Sequence, residues 1–213
     1  SPLLSDNNNI QKQESSSIIP TTTSTSTSNN CNFSDDTPSS CRLPINPKLL
    51  LPGTTLHCVK SDNSTMMPFA ILICGPNTHC LNGIVTNGRA LVAIHGGPGQ
   101  SSGVLNGLAP ISETLPVILY DQRHSGRSST LTTPVGDDIE STMLNYVQEL
   151  TIVLDQFHVD KADLLGHSFG ASIAIDYARN HPERILSLIL LSPVIDGTWW
   201  QNDANKHRLY VTE

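Results

Sequence analysis

Ser168 stands between two glycines in the run Gly166-His167-Ser168-Phe169-Gly170, and a serine framed this way can act as a nucleophile. A hydroxyl attacks a carbonyl only when it is held exposed, beside a base and a site that receives the developing oxyanion. The G-x-S-x-G pattern provides the exposure through a strained turn between a strand and a helix. A Cβ at either glycine would crowd that turn. The flanks suit it: Ala162-Asp163-Leu164-Leu165 leads in as a strand, and Ala171, Ala174 and Ala178 recur at helical spacing after it. Such small residues let a helix lie close on a sheet. Asn180-His181-Pro182 ends the helix, because proline disfavours a helical residue before it, and Ile185 to Leu191 follows as another strand. Read as plain structure, the same residues are a βαβ crossover with Ser168 as its N-cap.

An oxyanion needs backbone donors, and a second segment offers one. Leu91-Val92-Ala93-Ile94-His95-Gly96-Gly97-Pro98-Gly99 reads as a buried strand running into a glycine-rich turn. The expected donors are the N–H groups of Gly97 and Phe169. Pro98 has no N–H, and glycine at 96, 97 and 99 leaves a substrate room beside the backbone. His95, Gly96, Pro98 and Gly99 are expected to support this loop, with His95 and His167 bonding locally. A rival reading is dinucleotide binding, since Gly97-x-Gly99-x-x-Ser102 is followed by Asp121 at the end of an apolar run. Against it, Pro98 stiffens the turn and Ser102 replaces the third glycine.

Three segments in order, His95-Gly96-Gly97-Pro98-Gly99, Asp121-Gln122-Arg123-His124-Ser125-Gly126-Arg127-Ser128 and Gly166-His167-Ser168-Phe169-Gly170, resemble the proline iminopeptidase family of α/β-hydrolases. The resemblance runs from about residue 55 onward. It implies a serine hydrolase that removes an N-terminal residue, often proline, or hydrolyses amino-acid amides. Carried over, Ser168 is the nucleophile and Gly97 and Phe169 form the oxyanion hole. Three positions depart from the family pattern. His124 replaces a glycine, His167 and Phe169 stand where proline-specific members carry G-G-S-W-G, and Ala171 replaces a glycine after the elbow. These leave a general esterase or lipase-like hydrolase open as the alternative.

In this fold the triad acid and histidine follow the serine. Only His181 and His207 come later, in a helix-closing loop and in the polar stretch with Asp203, and neither follows a strand. The triad acid and histidine are therefore expected outside this chain, which reads as an N-terminal fragment truncated after about the sixth strand and inactive alone. In the family a helical cap follows that strand; residues 196–213, with Trp199 and Trp200, would begin it.

Composition divides the 213 residues into a Ser/Thr/Asn-rich tail at 1–48, expected to be disordered, and a hydrolase core at 49–195. A net charge of -7 with no Lys/Arg cluster argues against nucleic acid, and no apolar run reaches the length of a membrane span. The implied partner is a small molecule or short peptide; no metal or organic cofactor is implied, and none of the five cysteines has C-x-x-C spacing. Cys58 and Cys74 read as small core residues. The family resemblance favours a cytoplasmic location, while sequons at Asn32 and Asn63 permit secretion.

The elements that must position the chemistry are strands at Thr55 to Lys60, Phe69 to Cys74, Ala90 to Ile94, Pro116 to Tyr120, Leu164-Leu165 and Ile185 to Leu191. A short helix starts at Ser101, and Ser141 to Phe157 carries Met143, Tyr146, Val147, Leu150, Val153, Leu154 and Phe157 at helical spacing. Apolar strands alternating with helices imply an α/β fold with a mostly parallel sheet and helices on both faces. Asp121-Gln122-Arg123 falls at the carboxyl end of a strand, where an ion pair from Asp121 to Arg123 or Arg127 would hold the loop. The expected activity is acyl transfer through an acyl-enzyme. A non-catalytic binding module on the same fold is the reading from another class.

Overall fold

Strands that are apolar at consecutive positions have two faces to bury, and the computed structural model, which describes residues 25–27, 46–59, 67–129 and 139–195, covers both in the central strands of its sheet. The strands are β1 (Thr25–Thr27), β2 (Thr55–Val59), β3 (Ala70–Cys74), β4 (Cys80–Leu81), β5 (Ile84–Val85), β6 (Arg89–Ile94), β7 (Val117–Tyr120), β8 (Lys161–His167) and β9 (Ile185–Leu191). Seven of them form one sheet in the order β1-β2-β3-β7-β6-β8-β9. From β7 to β9 the pairing is parallel, and β1, β2 and β3 form an antiparallel flank.

On one face Leu72, Val92, Ile94, Ile118, Tyr120 and Leu164 pack under the helices α1 (Ile139–Gln156) and α2 (Phe169–Asn180). On the other, Ile71, Ile73, Leu91, Ala93, Val117 and Leu119 meet Leu105 and Ala109. The alternation by two within each strand sends neighbouring residues to opposite layers. The expected helix at Ser101 is a 3-10 helix over Ser102–Glu113 with Pro110 inside it. Proline supplies no N–H for a regular α-helical bond there.

Three features add to the sequence reading, at one edge of the sheet and in the connections between its strands. Thr25–Thr27, the described part of the expected tail before residue 46, pairs with β2 as an outer strand. Cys74 is no free core thiol: it is bridged to Cys80, tying the end of β3 to β4, while Cys58 is buried and free. The connection before β6 contains the β4–β5 hairpin, turned by Asn82 and Gly83, both at positive φ as a two-residue hairpin turn requires.

At the opposite edge, β9 is apolar on both faces and, among the described residues, open. Leu186, Leu188, Ile189, Leu190 and Leu191 are 38–50% exposed, an unusual surface for an outermost strand.

Candidate active site

The chain leaves β6 for β7 on one side and returns as β8 on the other. The carboxyl ends of β6 and β8 therefore flank the point where strand order reverses, the crevice in which open α/β sheets bind ligands. Register pairs Ile94 with Gly166, so His95-Gly96 and His167-Ser168 leave the sheet side by side. Ser168 caps α2 with φ 53° and ψ −119°, a conformation that non-glycine residues rarely take. Its N–H donates to the Leu191 carbonyl at 2.9 Å, and its carbonyl accepts from Ala171 N–H at 3.0 Å and Val194 N–H at 3.3 Å. The end of β9 thereby holds the elbow.

The elbow is dense because strand, helix and loop converge on it. A Cβ on Gly166 would lie 2.5 Å from Ala171 Cα, and one on Gly170 would lie 2.3 Å from the Ile94 carbonyl oxygen. A Cβ on Gly96 would come within 2.9 Å of Ser168 Cβ. The glycine-rich loop thus lies directly against the serine. Gly97 has φ 134° and precedes Pro98 through a cis bond, while Gly99 faces open space. Phe169 opens α2, where an N–H has no carbonyl four residues back to bond within the helix.

His95 is fully buried, and both its ring nitrogens are engaged. Gln122 N–H donates to Nε2 at 3.0 Å, which makes Nε2 the acceptor and leaves Nδ1–H to donate to the Gly96 carbonyl at 2.6 Å. Burial lowers its pKa, outweighing the opposing effects of the Gly96 bond and Asp121. A neutral histidine with both nitrogens occupied is structural.

Asp121 is buried beside it. Its carboxylate accepts from Ser102 N–H and Oγ–H at 2.8 and 2.6 Å, and from Arg127 N–H and Nε–H, both at 2.8 Å. Burial alone would raise its pKa, but these bonds from Arg127 and Ser102 prevail and lower it. The loop-fixing ion pair is therefore Asp121–Arg127. The same occupancy removes the acid that a nucleotide ribose would need, and Ser102, at the third-glycine position, is one of its partners.

Two neighbours gave weaker signals in the sequence. Gln122 is buried and its Nε2–H donates to the His95 carbonyl at 2.5 Å. Glu149 of α1 is 1% exposed and accepts the Arg123 N–H at 3.1 Å. Burial pushes its pKa up to about 7 against the opposing pull of Arg123. Glu149 lies three residues after Tyr146 and four before Val153, within the apolar stripe of α1; a carboxylate in that register was the available clue. His124, where the resembled family has glycine, takes φ 58°, the left-handed backbone that glycine adopts freely.

His95, the buried histidine of the neighbouring loop, has both ring nitrogens committed to Gln122 and Gly96 and is not free to serve Ser168 as its base. His181 is at the far end of the 12-residue α2, about 18 Å away at 1.5 Å per residue, and stacks on Tyr177. His167 neighbours Ser168 in sequence, and its Nδ1 is buried without a partner. Asp203, His207, Trp199 and Trp200 lie outside the described residues. A surface cavity lined by Gly88, Asp155, His158, Asp160 and Arg184 opens at the amino ends of the strands, away from Ser168. No group of three metal-ligating side chains occurs among the described residues.

This architecture has known counterparts. The family profile described as alpha/beta hydrolase fold matches residues 89–210. The chain is 32% identical over 120 residues to a proline iminopeptidase of Heyndrickxia coagulans, covering 56% of this chain and 40% of the relative. It is 34% identical over 139 residues to that of Lactobacillus delbrueckii subsp. bulgaricus, covering 62% and 45%. Among solved structures, the 2-hydroxy-6-oxo-6-phenylhexa-2,4-dienoate hydrolase of Rhodococcus sp. strain RHA1 superposes with a TM-score of 0.51 at 22% identity, covering 60% of this chain and 42% of that one. That likeness concerns the fold alone. The chain spans less than half the length of these curated relatives. With the profile matched over more than half its residues, the chain belongs to the alpha/beta hydrolase fold family.

Proposed function

We propose that the protein carrying this chain is a serine hydrolase that works through an acyl-enzyme, removing N-terminal residues from short peptides or hydrolysing amino-acid amides. The observation that carries this reading is the backbone of Ser168, at φ 53° on the tip of a strand–helix turn. Strain of this kind persists where the surrounding structure over-determines it, and it clusters at sites of chemistry. Ser168 Oγ attacks the carbonyl carbon, the N–H groups of Gly97 and Phe169 receive the oxyanion, and the amine leaves with a proton. Water then releases the acyl group. The base is a histidine from outside residues 46–195, since His95 is committed to its loop and His181 is remote. The proline iminopeptidase relatives support the substrate class. His167 and Phe169, which depart from the G-G-S-W-G of proline-specific members, leave a general esterase or lipase-like hydrolase as the second reading.

The test is labelling with a fluorophosphonate, comparing the protein with its Ser168→Ala variant. Labelling of the parent alone is expected, and equal labelling of both removes the nucleophile assignment. Cleavage of proline and alanine arylamides against short aryl esters then separates peptidase from esterase. The Cys74–Cys80 bridge supports an oxidising compartment over the cytoplasm.

A further inference from the structure

We propose that Asp121-Gln122-Arg123 is a clamp that sets the spacing between the two halves of the oxyanion site, with Gln122 as its central positioning residue. The inference rests on the acyl-enzyme reading of Ser168 and adds to it a reason for the D-Q-R segment. Three consecutive residues at the end of β7 grip three different walls. Asp121 holds Ser102 through N–H and Oγ–H, fixing the far end of the Gly97–Gly99 turn. Gln122 holds the near end twice, by its N–H to His95 Nε2 at 3.0 Å and its Nε2–H to the His95 carbonyl at 2.5 Å. Ser125 closes this contact, with its hydroxyl 2.6 Å from the Gln122 carbonyl and 3.4 Å from His95 Nε2.

Arg123 reaches the other half. Its N–H is anchored on Glu149 at 3.1 Å, and its guanidinium carbon lies 5.9 Å from the centre of the Tyr146 ring. Tyr146 in turn meets Phe169 edge-on, with ring centres 5.3 Å apart and planes at 81°. Phe169 contributes one proposed oxyanion donor and the His95–Gly97 loop the other. The two donors sit on different elements; the pairing of β6 with β8 and the close approach of Gly170 to the Ile94 and His95 carbonyls already hold those elements together, and a third body touching both adds a further constraint on their separation. The buried D-Q-R segment is such a body. A displacement on the order of 1 Å in a catalytic constellation costs about 100-fold in rate, which gives the clamp its consequence.

The experiment uses the full-length protein with a short aryl ester, comparing Gln122→Met, Tyr146→Leu and Ser168→Ala with the parent. Gln122→Met keeps the length of the side chain and the backbone N–H bond to His95 Nε2, and removes the side-chain donor to the His95 carbonyl. Both clamp variants are expected to lower kcat by about 10- to 100-fold with KM within about twofold, because donors that move apart weaken transition-state binding selectively. A boronic acid, which forms a tetrahedral adduct, should lose affinity by a similar factor, while a product carboxylate should not. Full kcat in both folded clamp variants overturns the clamp, and so does a loss that merely follows the folded fraction seen by circular dichroism. If Gln122→Met does not fold, Tyr146→Leu applies the same test from the elbow side. Activity retained by Ser168→Ala would remove the acyl-enzyme reading itself, an outcome distinct from an active parent with indifferent clamp variants.

Discussion

At Ser168 the backbone holds φ 53° and ψ −119°, where a side chain costs on the order of 1–3 kcal/mol. Ser168→Ala and Ser168→Gly both remove the hydroxyl, but only glycine relieves that conformation. The glycine variant should be more stable than the alanine variant by about 1 kcal/mol in urea unfolding, with neither labelled by a fluorophosphonate. Glu149 stores a different cost. Its folded pKa of about 7 lies above the ordinary 4.5, so the folded state binds a proton that the unfolded state has released between those values. The stabilisation is complete below about 4.5 and is lost as pH rises through about 7, a difference of about 3 kcal/mol. Glu149→Gln, which keeps an acceptor for Arg123 N–H, should lack this decline. Unfolding free energies at pH 5 and pH 8 for the parent and the variant check it. Asp121 works in the opposite direction, because its lowered pKa gives stability that disappears as pH falls below the normal carboxylate range.

The elbow as an element depends on how closely α2 approaches β6. A Cβ on Gly170 would overlap the Ile94 and His95 carbonyl oxygens at 2.3 and 2.4 Å, backbone atoms that cannot step aside without moving the strand. Gly170→Ala should destabilise the protein by about 3 kcal/mol or more. Gly107, in the 3-10 helix, has nothing within 4 Å of the equivalent position. Gly107→Ala should stay within about 0.5 kcal/mol of the parent. Thermal melts of the two variants make the comparison, and equal losses would show that packing at the elbow is not the determinant. The same proximity explains why small residues begin α2: Gly170 and Ala171 are buried against the sheet, and a larger side chain would push the serine away from the glycine-rich loop.

For the whole molecule the telling surface is β9. Its neighbour β8 is buried from Ala162 to Gly166, whereas β9 exposes apolar side chains on both faces along nearly its full length. A polypeptide of these 213 residues should bind the dye ANS and elute from a sizing column above its monomer mass of 23.0 kDa. Replacing Leu188 and Ile189 by lysine should reduce both signals. A monomer that does not bind ANS would mean that β9 is covered by residues of the same chain outside those described.

Much of this arrangement was legible in the residues alone. The strand at Ile185–Leu191 and the helix ending before Pro182 were readable because apolar period and proline act locally. So was the βαβ unit around Ser168, since a strand, a glycine-framed serine and a small-residue helix are consecutive in the chain. What the sequence could not contain is which distant groups meet. The partner of Asp121 had two candidates four residues apart, and only the turn at Gly126 brings Arg127 onto the carboxylate. Cys74 looked like a core residue because its strand is apolar; its bond to Cys80 depends on how β3 turns into β4. Gln122 and Glu149 acquire their roles by reaching His95 and Arg123 across 27 and 26 residues. Local pattern determined the elements and the candidate nucleophile, whereas burial, and with it the charge state of Glu149 and the grip on the glycine-rich loop, was decided by tertiary packing.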